Sequence, residues 1–340
     1  MRPIRIYRLS SKRVKHSRDT HSRISTHFRN FHHSTNLPSI KWIPPNTIPD
    51  ENDINHFRQH YFQVEKPVVI RAAKFVREDL PGYKKWFTAG GKEDDNSHLQ
   101  LNYKYLSRFG DAVVPLEMTT TTSSSNGEDN GEVQFQRINA PLSMFLEWMQ
   151  LSAQHETPAA ATKTQIYLAQ AYISDLPNLL SQDFSPPPRL VTETGRNDIY
   201  AANLWIGASP TYTPLHRDPN PNLFVHLAGL KRARMLNPGD GRGVFVDVRS
   251  RVENEHRLES SGSSSIRGEE MMMGVERRLL EDIIWQQHSK ESSTQSDGNG
   301  MVGYDVLLER GDALFIPKGW WHSLKGVGKG NTASVNWWFR

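Results

Sequence analysis

Two short stretches of this chain hold side chains that could bind one metal ion between them. His216 and Asp218 sit one residue apart in Thr213-Pro-Leu-His-Arg-Asp-Pro, and His322 lies far downstream in Phe315-Ile-Pro-Lys-Gly-Trp-Trp-His-Ser. On an extended segment, His-x-Asp places both side chains on one face, because strand side chains alternate with period 2. A second imidazole from another strand would complete a 2-His-1-carboxylate set, which holds Fe(II) and leaves adjacent coordination positions open. Either half alone says little. Most His-x-Asp pairs are surface residues or hydrogen-bonded core, and on spacing alone that reading stays open.

The elements that must position these residues follow from patterning. Residues 53–64 read as a short amphipathic helix with Ile54, Phe57 and Tyr61 on one side, and Lys66-Pro-Val-Val-Ile-Arg as a buried strand. Trp86 falls in a helical region. The pattern predicts a helix over 98–109, a strand over 112–118 and a helix over 142–151. Residues 119–132, rich in Thr, Ser, Asn and Gly, are expected to form a mobile polar loop, because they bury too little to offset ordering. From 165 onward short strands dominate, at 165–170, 200–206, 223–228, 231–236, 244–248, 305–308, 313–316 and 334–339, with a helical turn at 175–180. A second polar insertion, 249–301, with a predicted helix over 269–288, separates the two ligand stretches. Gly239-Asp-Gly-Arg-Gly and Gly326-Val-Gly-Lys-Gly fit no phosphate cradle between a strand and a helix, and read as loops. Many short strands with regular turn signals predict a mainly β fold with flanking helices, a barrel or jelly roll.

Composition narrows the classes. The 340 residues include nine Trp, ten Tyr and fourteen Phe, enough for a substantial core, and no cysteine. A disulfide scaffold and thiolate zinc sites are therefore excluded, and histidines and carboxylates remain as the metal ligands. No apolar run approaches the roughly 20 residues needed to cross a bilayer, so no membrane-spanning helix is expected. The net charge of +4 is unevenly divided: residues 1–40 carry nine Lys and Arg against the single acid Asp19, whereas 41–340 carry 32 basic and 36 acidic side chains. The acidic balance of 41–340 lacks the positive field of a phosphate-backbone binder, which makes RNA a less favoured partner. The leader, rich in Arg, Ser and His, matches a mitochondrial transit peptide better than a secretory signal, which needs a continuous apolar stretch. A basic tail serving a cytoplasmic or nuclear protein is the alternative.

Taken together, Lys66-Pro-Val-Val-Ile-Arg, Tyr167-Leu-Ala-Gln, Leu204-Trp-Ile-Gly, Pro214-Leu-His-Arg-Asp-Pro, Asn222-Leu-Phe-Val-His-Leu-Ala-Gly-Leu-Lys, Gly311-Asp-Ala-Leu-Phe-Ile-Pro, Trp321-His and Ser334-Val-Asn-Trp-Trp form a specific pattern. Over about residues 64–340 the chain resembles the Jumonji-C family of Fe(II)- and 2-oxoglutarate-dependent oxygenases, a branch of the cupins. The small stand-alone hydroxylases are the most similar kind.

The resemblance implies a double-stranded β-helix, in a domain over 41–340 that follows the basic leader. His216, Asp218 and His322 would be the iron ligands. Lys231 would pair with the distal carboxylate of 2-oxoglutarate, with Tyr167 and Thr213 as hydroxyl donors to it. Asn222 and Asn336 would donate near the cosubstrate, and Trp205 would wall the pocket. The implied reaction consumes O2 and 2-oxoglutarate, releases succinate and CO2, and hydroxylates a C–H bond, here of a protein or peptide. N-methyl demethylation, RNA-base hydroxylation and a non-catalytic cupin-fold binding protein are the alternatives. Asp218 stands where many histone demethylases of the family carry glutamate. His226, in Val-His-Leu, is expected to be a core or surface histidine, not a ligand. With no C-terminal helices of the kind through which some relatives dimerise, a monomer is expected.

The leader reading is directly testable. Residues 1–40 fused to a fluorescent reporter are expected to carry it into mitochondria; a diffuse cytosolic or nuclear signal would reject the transit-peptide reading.

Overall fold

The computed structural model describes residues 40–49, 53–89, 99–122, 133–154, 162–258, 272–286 and 300–340. The leader, most of the 119–132 segment and the Ser/Gly-rich runs of the second insertion lie outside them.

The strands in chain order begin with β1 (Ile40–Ile43), β2 (Asn46–Ile48), β3 (Val68–Ile70), β4 (Phe87–Ala89) and β5 (Leu99–Leu101). Then come β6 (Val113–Thr122), β7 (Val133–Pro141), β8 (Thr162–Tyr172), β9 (Ile199–Ala208) and β10 (Tyr212–Arg217). The last are β11 (Asn222–Ala228), β12 (Leu230–Leu236), β13 (Met301–Leu308), β14 (Ala313–Ile316), β15 (Trp321–Val327) and β16 (Asn331–Phe339).

Two large sheets result. One runs β1-β13-β12-β15-β10 and the other β2-β3-β14-β11-β16-β9-β8-β6-β7. Val69, Phe224, Leu314 and Ile316 of the larger sheet pack against Ala233, Met235, Val306, Leu308 and Leu324 of the smaller, so the sheets face each other across a thin core. The larger sheet's other face, with Leu204, Ile206, Leu223, Val335 and Trp337, packs on a helical layer that includes Phe57, Phe145, Met149 and Leu180. This is the expected jelly roll with flanking helices.

Local chemistry explains the turns. Gly311 takes φ 92°, which only glycine adopts freely, and the following Asp312 carboxylate accepts the amides of Ala72 and Glu309 and an Arg71 guanidinium N–H at 2.5–2.9 Å. Asp312 thereby ties the start of β14 to the end of β3.

Five expectations need correction. Residues 99–101 are a strand, with Leu99 and Leu101 buried around exposed Gln100, and helical turns begin only at Tyr103. Period 2, not 3.6, governs that stretch. Thr119–Thr122 belong to β6, where Thr119, Thr120 and Thr121 stand opposite Phe135, Gln134 and Val133 of β7 and all four residues pair with β8. These β-branched threonines favour a pleated ladder despite their polarity. Residues 244–248 are helical, within Pro238–Leu258. Val244, Val248 and Val252 are spaced by four and buried on one face, a helical stripe inside a run of β-branched residues. The glycines of 239–243 open this helix instead of forming a loop: Asn237 Oδ1 accepts the amides of Gly239 and Asp240, and a Cβ at Gly241 would collide with the Trp321 indole. The predicted 269–288 helix shortens, among the described residues, to Gly274–Glu281 followed by the wider turn Asp282–Gln286.

Residues 272–286 of the second insertion are part of the fold. Leu280, Ile283 and Ile284 are fully buried. Arg234 of β12 donates to the Ile284 carbonyl, lies between the Trp42 and Trp285 rings at 4.7 and 4.8 Å, and pairs with Asp305 at 2.8 Å. Arg234→Ala removes the charge that binds the insertion, β1 and β13 together and takes a buried cation from Asp305. It is expected to destabilise the protein by about 3–5 kcal/mol in urea unfolding; a cost below about 1 kcal/mol would show that the insertion is held without it.

Candidate metal centre and its cavity

β10 and β15 pair antiparallel, with His216 opposite His322 and an irregularity between Thr213 and His216. Pro214, which has no N–H, sits in that irregularity, so the ladder breaks where the first histidine must be aimed. Each imidazole is then held in the same way. His216 Nδ1 lies 2.8 Å from the Pro214 carbonyl and His322 Nδ1 lies 3.1 Å from the Trp320 carbonyl. A carbonyl only accepts, so both Nδ1 atoms carry the proton and both Nε2 lone pairs are free for a metal. The ring centroids are 4.1 Å apart. Burial lowers the His322 pKa to about 4, assisted by neighbouring His216 and opposed by Asp218, which keeps it neutral near pH 7.

Asp218 follows directly on β10, and its carbonyl accepts the Gly319 amide at 3.0 Å, linking the ligand to the bend before His322. Its Oδ2 accepts from Asn222 Nδ2 and Trp338 Nε1, both at 2.9 Å, and lies 3.5 Å from His322 Nε2. The chain of bonds continues outward: Asn336 Nδ2 donates to Asn222 Oδ1 at 3.2 Å, and Trp205 Nε1 donates to Asn336 Oδ1 at 2.7 Å. Four side chains from three strands thus fix one carboxylate. One donor atom each from His216, Asp218 and His322 falls within 4.8 Å of the others. Two imidazoles and one carboxylate, pre-oriented and with Asp218 and His322 buried, suit Fe(II).

The donors open onto a cavity of about 170 Å³. All nine residues singled out in the sequence line it: Tyr167, Trp205, Thr213, His216, Asp218, Asn222, Lys231, His322 and Asn336. Four more were missed, namely Gln170, Phe224, Leu324 and Trp338. Trp338 was legible, since period 2 from Asn336 puts both on one face of β16. Gln170 was not, because its place depends on a positive φ of 53° at a register shift in β8.

Lys231 is 2% exposed. Its Nζ lies 3.4 Å from the Tyr167 hydroxyl and over the Phe224 and Tyr167 rings at 5.5 and 5.8 Å. Among the described residues, no carboxylate forms an ion pair with it. Burial alone lowers its pKa to about 7, and burial, reinforced by the Glu117 charge, raises that of Tyr167. An ammonium so placed is costly unless an anion joins it. His226, by contrast, is a neutral core residue as expected: it is fully buried, bonded to Gly229 and Ser334, and lowered by burial and the Lys231 charge to a pKa of about 3. Trp321 packs on the outer face against Phe245, as a segment that turns His322 inward requires.

Comparison with known proteins agrees with this geometry. The family model described as the cupin-like domain matches residues 54–340. Lysine-specific demethylase 8 of Xenopus tropicalis is 21% identical over 286 residues, covering 84% of this chain and 51% of that protein. Jumonji C domain-containing protein 5 of Drosophila melanogaster is 23% identical, covering 85% and 58%. Lysine-specific demethylase JMJ30 of Arabidopsis thaliana is 26% identical, covering 83% and 52%. The chain thus spans about half the length of these curated relatives. With the cupin-like match over most of its length, a jelly-roll fold and a His-Asp-His cluster between the sheets, the chain belongs to the cupin-like domain family, as a Jumonji-C member of the cupin superfamily.

Proposed function

We propose that the protein is an Fe(II)- and 2-oxoglutarate-dependent oxygenase that hydroxylates a protein side chain. The observation that carries the first part is Lys231, a buried ammonium with no anionic partner among the described residues, in the same cavity as the His216, Asp218 and His322 donors. A dicarboxylate spanning the two would satisfy both. Bound Fe(II), with 2-oxoglutarate and O2, would supply the oxidation of a C–H bond, with succinate and CO2 as coproducts.

The protein's own residues then have defined tasks. Nδ1 hydrogen bonds to backbone carbonyls orient both imidazoles with Nε2 inward, and Asn222 and Trp338 fix the Asp218 carboxylate. Lys231, Tyr167 and Thr213 receive the distal carboxylate of the cosubstrate, whose charge the lysine neutralises. Phe224, Leu324 and the Trp205 ring keep the space between dry, which strengthens each of these polar contacts.

Three observations support hydroxylation of a polypeptide. Gln170 lines the cavity and also two surface depressions of about 360 and 370 Å³, so a side chain entering past it lies beside a shallow surface that can receive main chain. The acidic balance of residues 41–340 disfavours nucleic acid. The metal carboxylate is an aspartate. N-methyl-lysine demethylation is the second reading, favoured by the names of the Xenopus and Arabidopsis relatives. Both use the same centre and differ in the bond placed before it. Iron-loaded enzyme with proteome-derived peptides, methylated histone peptides and tRNA separates them. A peptide that stably gains one oxygen atom is expected; formaldehyde without such a product, or oxygen incorporated only into RNA, would reject hydroxylation of protein.

Two sets of variants test the residue roles. His216→Ala, Asp218→Ala and His322→Ala are each expected to abolish Fe(II)-dependent conversion of 2-oxoglutarate to succinate while circular dichroism shows a folded protein. Undiminished turnover in His322→Ala would remove it from the centre. Lys231→Ala is expected to weaken 2-oxoglutarate binding by about 3 kcal/mol or more, on the order of 100-fold. The ammonium is present below its lowered pKa of about 7 and is lost as pH rises through it. Calorimetry should therefore show affinity for 2-oxoglutarate falling from about pH 6 to about pH 9, and a flat profile would mean that another cation holds the carboxylate.

A further inference from the structure

The strand pair that presents the histidines has a defect that the insertion repairs. Thr213 stands opposite Leu324 and His216 opposite His322, so Pro214 and Leu215 together face Ser323 alone. Two residues against one is a bulge, and a bulge leaves backbone groups without ladder partners. The Pro214 carbonyl is taken by His216 Nδ1 at 2.8 Å. The Thr213 carbonyl is taken by a side chain, the Ser323 hydroxyl, at 2.8 Å. That hydroxyl accepts in turn from Trp285 Nε1 at 2.9 Å. Ser323 is fully buried, and as the neighbour of His322 on one strand it points to the opposite face, away from the cavity.

Trp285 belongs to the second insertion and is firmly seated. Arg234 and Lys325 lie over its ring at 4.8 and 5.0 Å, and the preceding Ile283 and Ile284 are fully buried. Lys325 also binds Glu281 at 2.6 Å, a second and separate tie between the insertion and β15.

We propose that the insertion braces the metal centre from behind: Trp285 orients the Ser323 hydroxyl, which holds the Thr213 carbonyl and sets the bulge that aims His216 at His322. Trp285 and Ser323 are positioning residues, since neither touches the cavity. The inference rests on the metal-centre reading, and the experiment separates the two. Apo-protein of full length is titrated with Co(II), a spectroscopic stand-in for Fe(II), following the visible absorption that reports coordination geometry, with thermal unfolding in parallel.

Ser323→Ala, which removes one oxygen atom, and Trp285→Phe, which keeps a ring but loses the N–H, are each expected to bind Co(II) about 10- to 100-fold more weakly with an altered spectrum. Glu281→Ala cuts the other tie while leaving Lys325 over the Trp285 ring, and is expected to lower the unfolding temperature while leaving Co(II) affinity and spectrum as in the wild type. Unchanged binding and spectrum in Ser323→Ala would overturn the brace. So would an equal loss in Glu281→Ala, which would mean that loosening the insertion by any route disturbs the site. If the wild-type protein bound no Co(II), or His216→Ala bound it equally well, the metal-centre reading would fail, and the brace with it.

Discussion

The register of β10 against β15 is the constraint on which the site depends. It sets His216 against His322, and with them the side of the smaller sheet on which the metal donors stand. Strand side chains alternate, so a slip of one residue would turn the histidines toward the outer helices and bring Ser323 and Arg217 inward. The hydrophobic pattern enforces the register. Leu324 beside His322 on the inner face, and Trp321 against Phe245 on the outer, both sit where burial requires. Gly241, with no side chain, lets the outer helix approach that tryptophan.

In and around the cavity, desolvation acts against positive charge. It holds His322 and His226 neutral, and it lowers the pKa of Lys231 into the physiological range. Neutral imidazoles serve as ligands, whereas a lysine without an anion is unsatisfied. The site is thus built around a negative charge to be supplied at the end opposite the metal donors. Asp218 does not meet that need: among the described residues it forms no ion pair with Lys231, and Asn222 and Trp338 hold its Oδ2 in place. The polar relay from Trp205 through Asn336 and Asn222 keeps that carboxylate from turning.

Much of this was legible in the sequence because it depends on period and residue type. His216, His322 and Lys231 come from strands whose alternation is plain, Asp218 follows directly on one of them, and the Gly311-Asp312 turn is set by one glycine and one carboxylate. What failed to show has physical causes. Val244, Val246 and Val248 carry strand-like β-branching, yet tertiary packing of every fourth residue makes them helical. Thr119–Thr122 look like loop by composition, and become strand only because β7 and β8 lie on either side. The insertion reads as polar overall; the signal that part of it packs was the apolar cluster Ile283-Ile284-Trp285, which a freely solvated segment has no reason to contain. Gln170 depends on a backbone irregularity that no side-chain pattern encodes.

The central claim is that one cavity binds a ferrous ion at His216, Asp218 and His322 and a 2-oxo acid between that ion and Lys231. Chelation of Fe(II) by a 2-oxo acid produces a visible charge-transfer band. The most direct test is therefore to add Fe(II) and 2-oxoglutarate, singly and together, to the apo-protein without oxygen. The band should form only when both are present, vanish in His322→Ala, and need far more 2-oxoglutarate in Lys231→Ala. No band in the wild-type protein, or an equally strong band in His322→Ala, would contradict the account.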